Sequence, residues 1–556
     1  MVIDQTLLAA QNWVMRQDGW RRVGIAFLCG SLSVLAMAPF FFWPVLFVTL
    51  PVLVWLLDRE NVSVGRAFRD AWWFGFGYFF FGLFWIGEAF LVEAEKFAFL
   101  LPFAITLLPA GLALFFGVGA VIAKSMWRPG LSRVLILAVA LAMAEWLRGN
   151  ILTGLPWNTL GYALTQPLPL MQMASVFGVY GLTLWVVLIC ASPAVLVVDA
   201  LGDGRAKLNR FAGVAIAAVL LLLGFSFGWL QLSTATSDTV ANVKVRLVQP
   251  AIAQKDKWET SKRREIFDTL LELSRSNEDG GKDNLDGITH VIWPEAAIPF
   301  LILRTPQALT EIADLLPDDT VLLTGALRLS DNAPPVATDA TPRASRKAFN
   351  SLMAFNGSGL LVGLTDKTHL VPFGEFLPLQ SLFESVGLQQ LTKQRGGFSP
   401  GKTPRSLFPV AGIGLIAPLI CYEAIFPEEI VQDGKRPNMM LNLTNDAWFG
   451  DTTGPRQHFH QNRVRAVEQG VPLVRVANGG ISAVIDSYGR IRTELGLNKK
   501  GVLDSALPVA RPPTVYVAFG DIIAAITALL FLLAGGYLGR NKKNRFAIKP
   551  KWALSK

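Results

Sequence analysis

Eight apolar runs, each close to the length of a membrane-crossing helix, constrain this chain more than any other feature of its sequence. A bilayer core of about 30 Å takes roughly 20 apolar helical residues. Runs of this kind fall at 23–39, 41–57, 72–92, 98–124, 133–147, 172–198, 211–232 and 515–538, the first two tightly joined around Pro39 and the fifth rather short. The first run follows Arg21 and Arg22 and carries small residues at Ala36 and Ala38. With seven more runs behind it, a span is expected there rather than a cleaved signal. Only 17% of the 556 residues are charged and 52% are hydrophobic, which excludes a disordered chain. Cys29, Cys190 and Cys421 share no close spacing, so neither a disulfide framework nor a zinc ribbon is expected.

The net charge of +9 sits mostly in short segments beside the apolar runs, which marks topology rather than a nucleic-acid surface. Arg16, Arg21 and Arg22 precede the first run, Arg59, Arg66 and Arg69 follow the second, Lys124, Arg128 and Arg133 the fourth, and Arg205, Lys207 and Arg210 the sixth. The tail after the last run is also basic, whereas the loop after the third holds Glu93 and Glu95 with only Lys96. Lys and Arg in short loops hold those loops in the cytoplasm. Both termini are therefore expected there, and the long block between runs seven and eight on the opposite face. The organisation expected is a bundle over 1–235 with spans one to seven, a soluble catalytic domain over 240–512, an eighth span over 513–540 and a basic tail over 541–556.

The soluble block alternates short β-rich segments with polar helical stretches, the pattern of an α/β or layered domain. Strands are expected at Val243–Val248, Thr289–Trp293, Thr320–Leu323, Ser351–Phe355, Gly414–Ile420, Met439–Leu443, Leu473–Ala477 and Ser482–Asp486. A helix is expected over 259–278 and a polar, proline-bearing loop over 330–347.

No GxSxG elbow, HExxH pair or CxxC pair occurs. His458 and His460, two apart, would share one face of a strand, which leaves a weak metal reading beside an ordinary hydrogen-bonded one. Three segments end expected strands on a reactive side chain: Trp293-Pro-Glu295, Lys367 through Pro372-Phe-Gly-Glu375, and Cys421-Tyr-Glu423. A thiol becomes a nucleophile when a base takes its proton and a cation stabilises the charge that develops. Glu295 and Lys367 are the candidates. Read singly, each has a plain alternative: Cys421 a small core hydrophobe, Glu295 a helix cap and Lys367 a solvated loop charge.

Taken together and in this order, the segments resemble the Glu-Lys-Cys signatures of the nitrilase (carbon–nitrogen hydrolase) superfamily, and Thr444-Asn-Asp-Ala-Trp-Phe-Gly450 is similar to another of its motifs. The resemblance covers roughly 240–510. A domain of this kind set between the last two of eight spans resembles the apolipoprotein N-acyltransferases, and Pro156-Trp157 through Tyr162 resembles their membrane-proximal loop.

The resemblance implies a polytopic α-helical membrane bundle of about eight spans plus an α/β nitrilase-like αββα sandwich, in a bacterial inner membrane with the catalytic domain periplasmic. It implies Glu295 as general base, Cys421 as nucleophile and Lys367 as the oxyanion cation, aided by the Tyr422 backbone N–H. Glu375 would position Lys367, Tyr422 and Glu423 would shape the pocket, and Trp258 and Trp157 are candidate substrate-binding residues. The reaction implied is ping-pong: Cys421 takes an acyl chain from a phospholipid, typically the sn-1 chain of phosphatidylethanolamine. The α-amine of a diacylated apolipoprotein then attacks the thioester. No cofactor, metal or nucleic-acid partner is implied.

Leu379, Leu382, Phe383, Val386 and Leu388 fit either a mobile lid or an amphipathic helix packed on the sandwich. Glu88, Glu145 and Arg148 are ionisable residues inside runs, and charges there face a bundle interior. Glu145 and Arg148, three apart, are expected to pair. Trp127, Trp146 and Trp157 fit interfacial anchors. A membrane-tethered amidase using water shares the same triad.

Overall fold

The computed structural model describes residues 2–58, 62–197, 204–278, 280–281, 285–330, 347–379, 397–430 and 434–543. The chain divides into two compact units, one of Met1–Phe84, Ile105–Ser233 and Val515–Lys556, the other of Trp85–Ala104 and Thr234–Thr514.

The first unit is helical throughout. Four described helices are long and apolar enough to cross a membrane, at Ala94–Ser125, Ala174–Leu196, Phe211–Ser233 and Ile522–Gly539, and a bent pair at Val64–Gly82 and Phe84–Leu91 makes a fifth if it is one span. The other expected spans fall short for different reasons. Gly19–Ser33 has 15 residues and Leu46–Asp58 has 13, below the roughly 20 that a bilayer takes. Leu131–Asn150 is longer than its sequence run, but it buries Arg133, Glu145 and Arg148. A count of eight crossings therefore does not follow from the helices themselves. One further helix, Val2–Arg16, precedes the first run.

The third run is not one straight helix. Helical geometry ends at Gly82, Leu83 leaves it, and the next helical stretch is bent by 55°. Asn158 holds the break: its Nδ2 donates to the Gly82 carbonyl at 3.0 Å, and its own carbonyl accepts from Tyr78 Oη at 2.7 Å. A Cβ at position 82 would stand 2.8 Å from Asn158 Nδ2, so the close approach requires glycine. Glu88 consequently starts a short helix, Glu88–Leu91, past the bend and in the second unit.

Charges buried in the helical unit are paired or capped, as a low-dielectric interior demands. Arg22 meets Asp70 at 2.7 Å and Arg133 meets Asp58 at 2.5 Å. Glu145 and Arg148 do approach, but only to 3.9 Å. Their shorter bonds go elsewhere. Glu145 accepts from the Leu160 N–H at 2.9 Å and Thr183 Oγ1 at 2.7 Å, while Arg148 donates to the carbonyls of Leu155 and, at 2.9 Å, Trp157. The pair pins the 155–160 loop. Trp157 is 2% exposed, which corrects its reading as an interfacial anchor; Trp146, at 39%, remains accessible.

The second unit carries two six-stranded sheets. The first runs β12-β1-β2-β3-β4-β5, with β1 Thr239–Gln249, β2 His290–Ile292, β3 Val321–Leu329, β4 Ala348–Phe355, β5 Leu361–Asp366 and β12 Gly501–Pro508. The second runs β11-β10-β9-β8-β7-β6, with β6 Phe408–Val410, β7 Gly414–Ile420, β8 Met439–Asn445, β9 Leu473–Asn478, β10 Ser482–Ile485 and β11 Ile491–Leu495. Strands β1, β2 and β3 pair in parallel, as do β7, β8 and β9, and the outer pairings are antiparallel. The sheets face each other through β1 with β9 and β4 with β7. On the outer side of the first sheet, helices Arg263–Ser274 and Pro306–Leu315 bury Phe267, Leu270 and Ile312 against Trp293 and Met353. On the outer side of the second, helix Thr453–Gln469 buries Phe459 and Ala466 against Leu419 and Met440. This is the αββα order of layers.

All eight expected strands form, and four others join them: β5, β6, β11 and β12. These four are the sheet edges. The expected helix is shorter, Arg263–Ser274, and of the expected polar loop 331–346 lies outside the described residues.

Candidate active site

Three strand ends converge. Beyond β2, Trp293 is fully buried and its N–H donates to the Leu323 carbonyl at 2.9 Å, which carries the β2 path on toward Glu295. Gly325 on β3 lets that path through, because a Cβ there would lie 2.6 Å from the Pro294 carbonyl and from Glu295 Cα. Beyond β5, the Lys367 N–H donates to the Asn350 carbonyl at 2.8 Å. Beyond β7, Cys421 turns the chain from strand to 3-10 helix with φ +58°, in the left-handed region. For a residue with a Cβ this costs on the order of 1–3 kcal/mol, a strain typical of functional sites.

The side chains form one buried cluster. Lys367 Nζ lies 2.9 Å from Glu375 and 3.7 Å from Glu295 Oε1. Asn350 Nδ2 donates to Glu295 Oε1 at 2.8 Å, and Glu375 Oε2 accepts the Val371 N–H at 2.9 Å. Thr444 Oγ1 stands 3.7 Å from Cys421 Sγ. Burial, followed by the Glu295 charge, pushes the Cys421 thiol well above its usual range, while Lys367 pulls the other way. The resting group is therefore a thiol. Burial alone would depress Lys367, but Glu375, Cys421, Glu295 and Glu423 together hold it above the ordinary lysine range. Lys367 stays a cation at neutral pH, which leaves a carboxylate as the proton acceptor. Burial raises Glu375 against the pull of Lys367.

Glu423 does not line this cluster in the way expected of a pocket wall, whereas the Tyr422 ring borders it, 5.4 Å from Lys367 Nζ. Glu423 accepts from the N–H groups of Thr368 and His369 through one oxygen, at 2.8 and 2.9 Å, and from the Ile420 N–H through the other at 2.7 Å. Arg405 pairs with it at 2.6 Å. Despite burial, Arg405 and these backbone donors hold its pKa below the usual carboxylate range. Glu423 thus clamps the loop after Lys367 to the turn that carries Cys421. Tyr422 Oη donates to the Leu370 carbonyl at 2.6 Å and tightens the same junction.

A cavity of about 1270 Å³ opens beside the cluster, lined by Glu295, Glu375, Asn350, Trp258, Trp448 and, from the first stretch of the unit, Leu91–Lys96. It is larger than a typical small-molecule site of roughly 300–1000 Å³. Trp157 belongs to the helical unit and is not among the cavity's lining residues. Of the candidate lid, Leu379 is described and 71% exposed; Leu382, Phe383, Val386 and Leu388 lie outside the described residues.

His458 and His460 sit on a helix, not a strand, and both are buried. His458 Nδ1 lies 3.1 Å from Asp446 Oδ1, and Asp446 pairs with Arg475 at 2.5 Å. Arg475 and His458 overcome burial and bring Asp446 to about 2. The Thr444–Gly450 motif thereby anchors an ionic core beneath Cys421. Sequence reasoning missed Asn350 and Lys257. The only trace of the first was a polar residue inside an apolar strand, and of the second a lysine before Trp258.

Two family models match the chain: the apolipoprotein N-acyltransferase N-terminal domain over 29–192 and carbon-nitrogen hydrolase over 244–511. Among solved structures, an amidase from Nesterenkonia sp. is similar at 16% identity with a TM-score of 0.33, over 50% of this chain and 94% of that one. Apolipoprotein N-acyltransferase of Rhodopseudomonas palustris is 48% identical over 93% of this chain and 95% of its own. That of Brucella melitensis biotype 1 is 45% identical over 89% and 91%. With matches of this depth running through both the helical and the sandwich units, the chain belongs to the apolipoprotein N-acyltransferase family.

Proposed function

We propose that this chain N-acylates the N-terminal S-diacylglyceryl-cysteine of apolipoproteins, using a phospholipid as acyl donor and Cys421 as the acyl carrier. The observation that carries the proposal is the convergence of Glu295, Lys367 and Glu375 on the strand-end turn of Cys421. Glu295 takes the Sγ proton as sulfur attacks the ester carbonyl, and the oxyanion is met by Lys367 Nζ and the Tyr422 backbone N–H. Glu295 then returns the proton to the departing alcohol, leaving a lysophospholipid and a thioester. In the second half the acceptor's neutral amine attacks the thioester, Glu295 accepts its proton, and the sulfur departs to be reprotonated. Glu375 keeps Lys367 charged and in place throughout.

Acyl substrates explain why the enzyme belongs in a bilayer, since lifting a chain into water costs about 0.8 kcal/mol per CH₂. In this proposal the chain crosses a bacterial inner membrane eight times, with both termini cytoplasmic and residues 240–512 periplasmic. The alternation of basic loops supports that topology. So does the acidic loop after the third run, whose Leu91–Lys96 segment lines the same cavity as Glu295. Phosphatidylethanolamine is the donor we favour.

Cys421→Ala tests the assignment. N-acylation of a diacylated lipopeptide should vanish while the melting temperature stays close to that of the parent, because one sulfur is lost beside an already strained turn. Normal N-acylation in this variant overturns the assignment of the nucleophile. Release of free fatty acid with no acylated peptide would point to water as the acceptor.

A further inference from the structure

A second lysine lies in the cavity wall, and the mechanism above does not use it. Lys257 is 2% exposed, and its Nζ donates to the Glu295 main-chain carbonyl at 3.0 Å. Among the described residues that carbonyl is its only hydrogen-bond partner and no carboxylate pairs with it. Lys367 differs, with Glu375 at 2.9 Å and Glu295 at 3.7 Å. An ammonium carries three donors, so two of those on Lys257 are unspent.

Holding a neutral carbonyl does not require a cation. Burying one without a counter-ion is costly, and burial pulls Lys257 down to about 8, against an ordinary lysine near 10.5. Only the nearby Glu295 and Cys421 groups work against burial, and an anionic ligand would supply the close counter-charge that Lys257 lacks. The exposed part of the cavity lining carries both signs, Arg263 and Arg304 against Glu95 and Glu259, with Glu93 paired to Lys96 at 2.7 Å, so the buried cation Lys257 stands out for its depth and not for a net charge around it. Glu295 faces the same cavity, so a ligand whose anion meets Lys257 presents neighbouring atoms to the catalytic cluster. In a glycerophospholipid the ester to be cleaved and the phosphodiester are separated only by the glycerol.

We propose that Lys257 anchors the phosphodiester of the acyl donor, setting the ester against Cys421. This rests on the acyltransferase function proposed above.

The test compares two donors on the full-length purified protein, phosphatidylethanolamine and a 4-nitrophenyl fatty-acyl ester, which has a reactive ester and no phosphate. Acylation of Cys421 is followed for the parent and for Lys257→Gln, Lys257→Met and Lys257→Arg. The expected result for Gln and Met is a KM for phosphatidylethanolamine raised about tenfold or more, with nitrophenyl ester turnover within about twofold of the parent, which also shows the variants folded. Arg should retain most phospholipid use. An equal loss with both donors overturns the proposal, because Lys257 would then be positioning Glu295. Unchanged phospholipid kinetics overturns it too. Failure of the parent to acylate Cys421 from either donor would instead sink the underlying acyltransferase assignment.

Discussion

Lys367 shows how far the chemistry of one residue depends on its neighbours. Its stem is buried, yet Glu375 and Glu295 keep the amine charged, so it acts as a fixed cation and not as a base. Preorganised charge aimed at a developing oxyanion is worth about 2–4 kcal/mol per donor. Lys367→Ala should therefore lower the turnover of acyl transfer by roughly 30- to 1000-fold with modest change in KM. A loss below about tenfold would move the oxyanion role to backbone donors. Cys421 depends on its neighbours in the opposite sense. Because burial and Glu295 keep its thiol protonated, attack must be coupled to proton transfer, and a resting thiolate should not be detectable near neutral pH.

Among the elements, helix Thr453–Gln469 departs furthest from what its sequence promises. Its histidines are buried, and His460 is brought down to about 3 by burial and then by Arg463. In the unfolded chain a histidine titrates near 6.5, so the unfolded state binds the proton first and stability falls as pH drops below that value. The contribution is fully present above pH 6.5 and is lost on the way to about 3, at up to about 1.4 kcal/mol per pH unit. Melting curves between pH 7 and 5 should show the His460→Gln variant losing less stability than the parent; equal slopes would contradict a neutral buried imidazole.

The same scale shows what the sequence made legible. Interior strands such as β7, apolar from Leu415 to Ile420 and buried from Ile416 on, read as apolar runs. Edge strands do not. β5 begins with exposed Leu361 and Val362, β11 is Ile491-Arg-Thr-Glu-Leu495 with two charges, and β6 is three residues around Pro409. Edges are kept short, charged or proline-bearing to resist pairing with other chains, which removes the pattern by which strands are recognised. Glu295, Lys367, Glu375 and Cys421 were visible because each sits in a distinctive tripeptide or loop. Asn350 and Lys257 were not, because only the fold brings them to Glu295.

For the molecule as a whole, hydropathy located the helices better than it delimited them. The third run breaks at Gly82 because Asn158, 76 residues away, reaches the carbonyl there, a contact no window of sequence contains. Past the break, the stretch Trp85–Ala104 joins the sandwich unit and contributes a cavity wall. The ends of two apolar runs, with the short acidic loop that joins them, are thus part of the sandwich unit. The central claim, that Cys421 carries the acyl chain, is tested most directly by mass spectrometry of the purified protein after incubation with phosphatidylethanolamine alone. The predicted result is one added acyl mass that maps to Cys421 and is removed by hydroxylamine. An unmodified Cys421, with lipid present and the thiol reduced, or an adduct mapping to another residue, would contradict it.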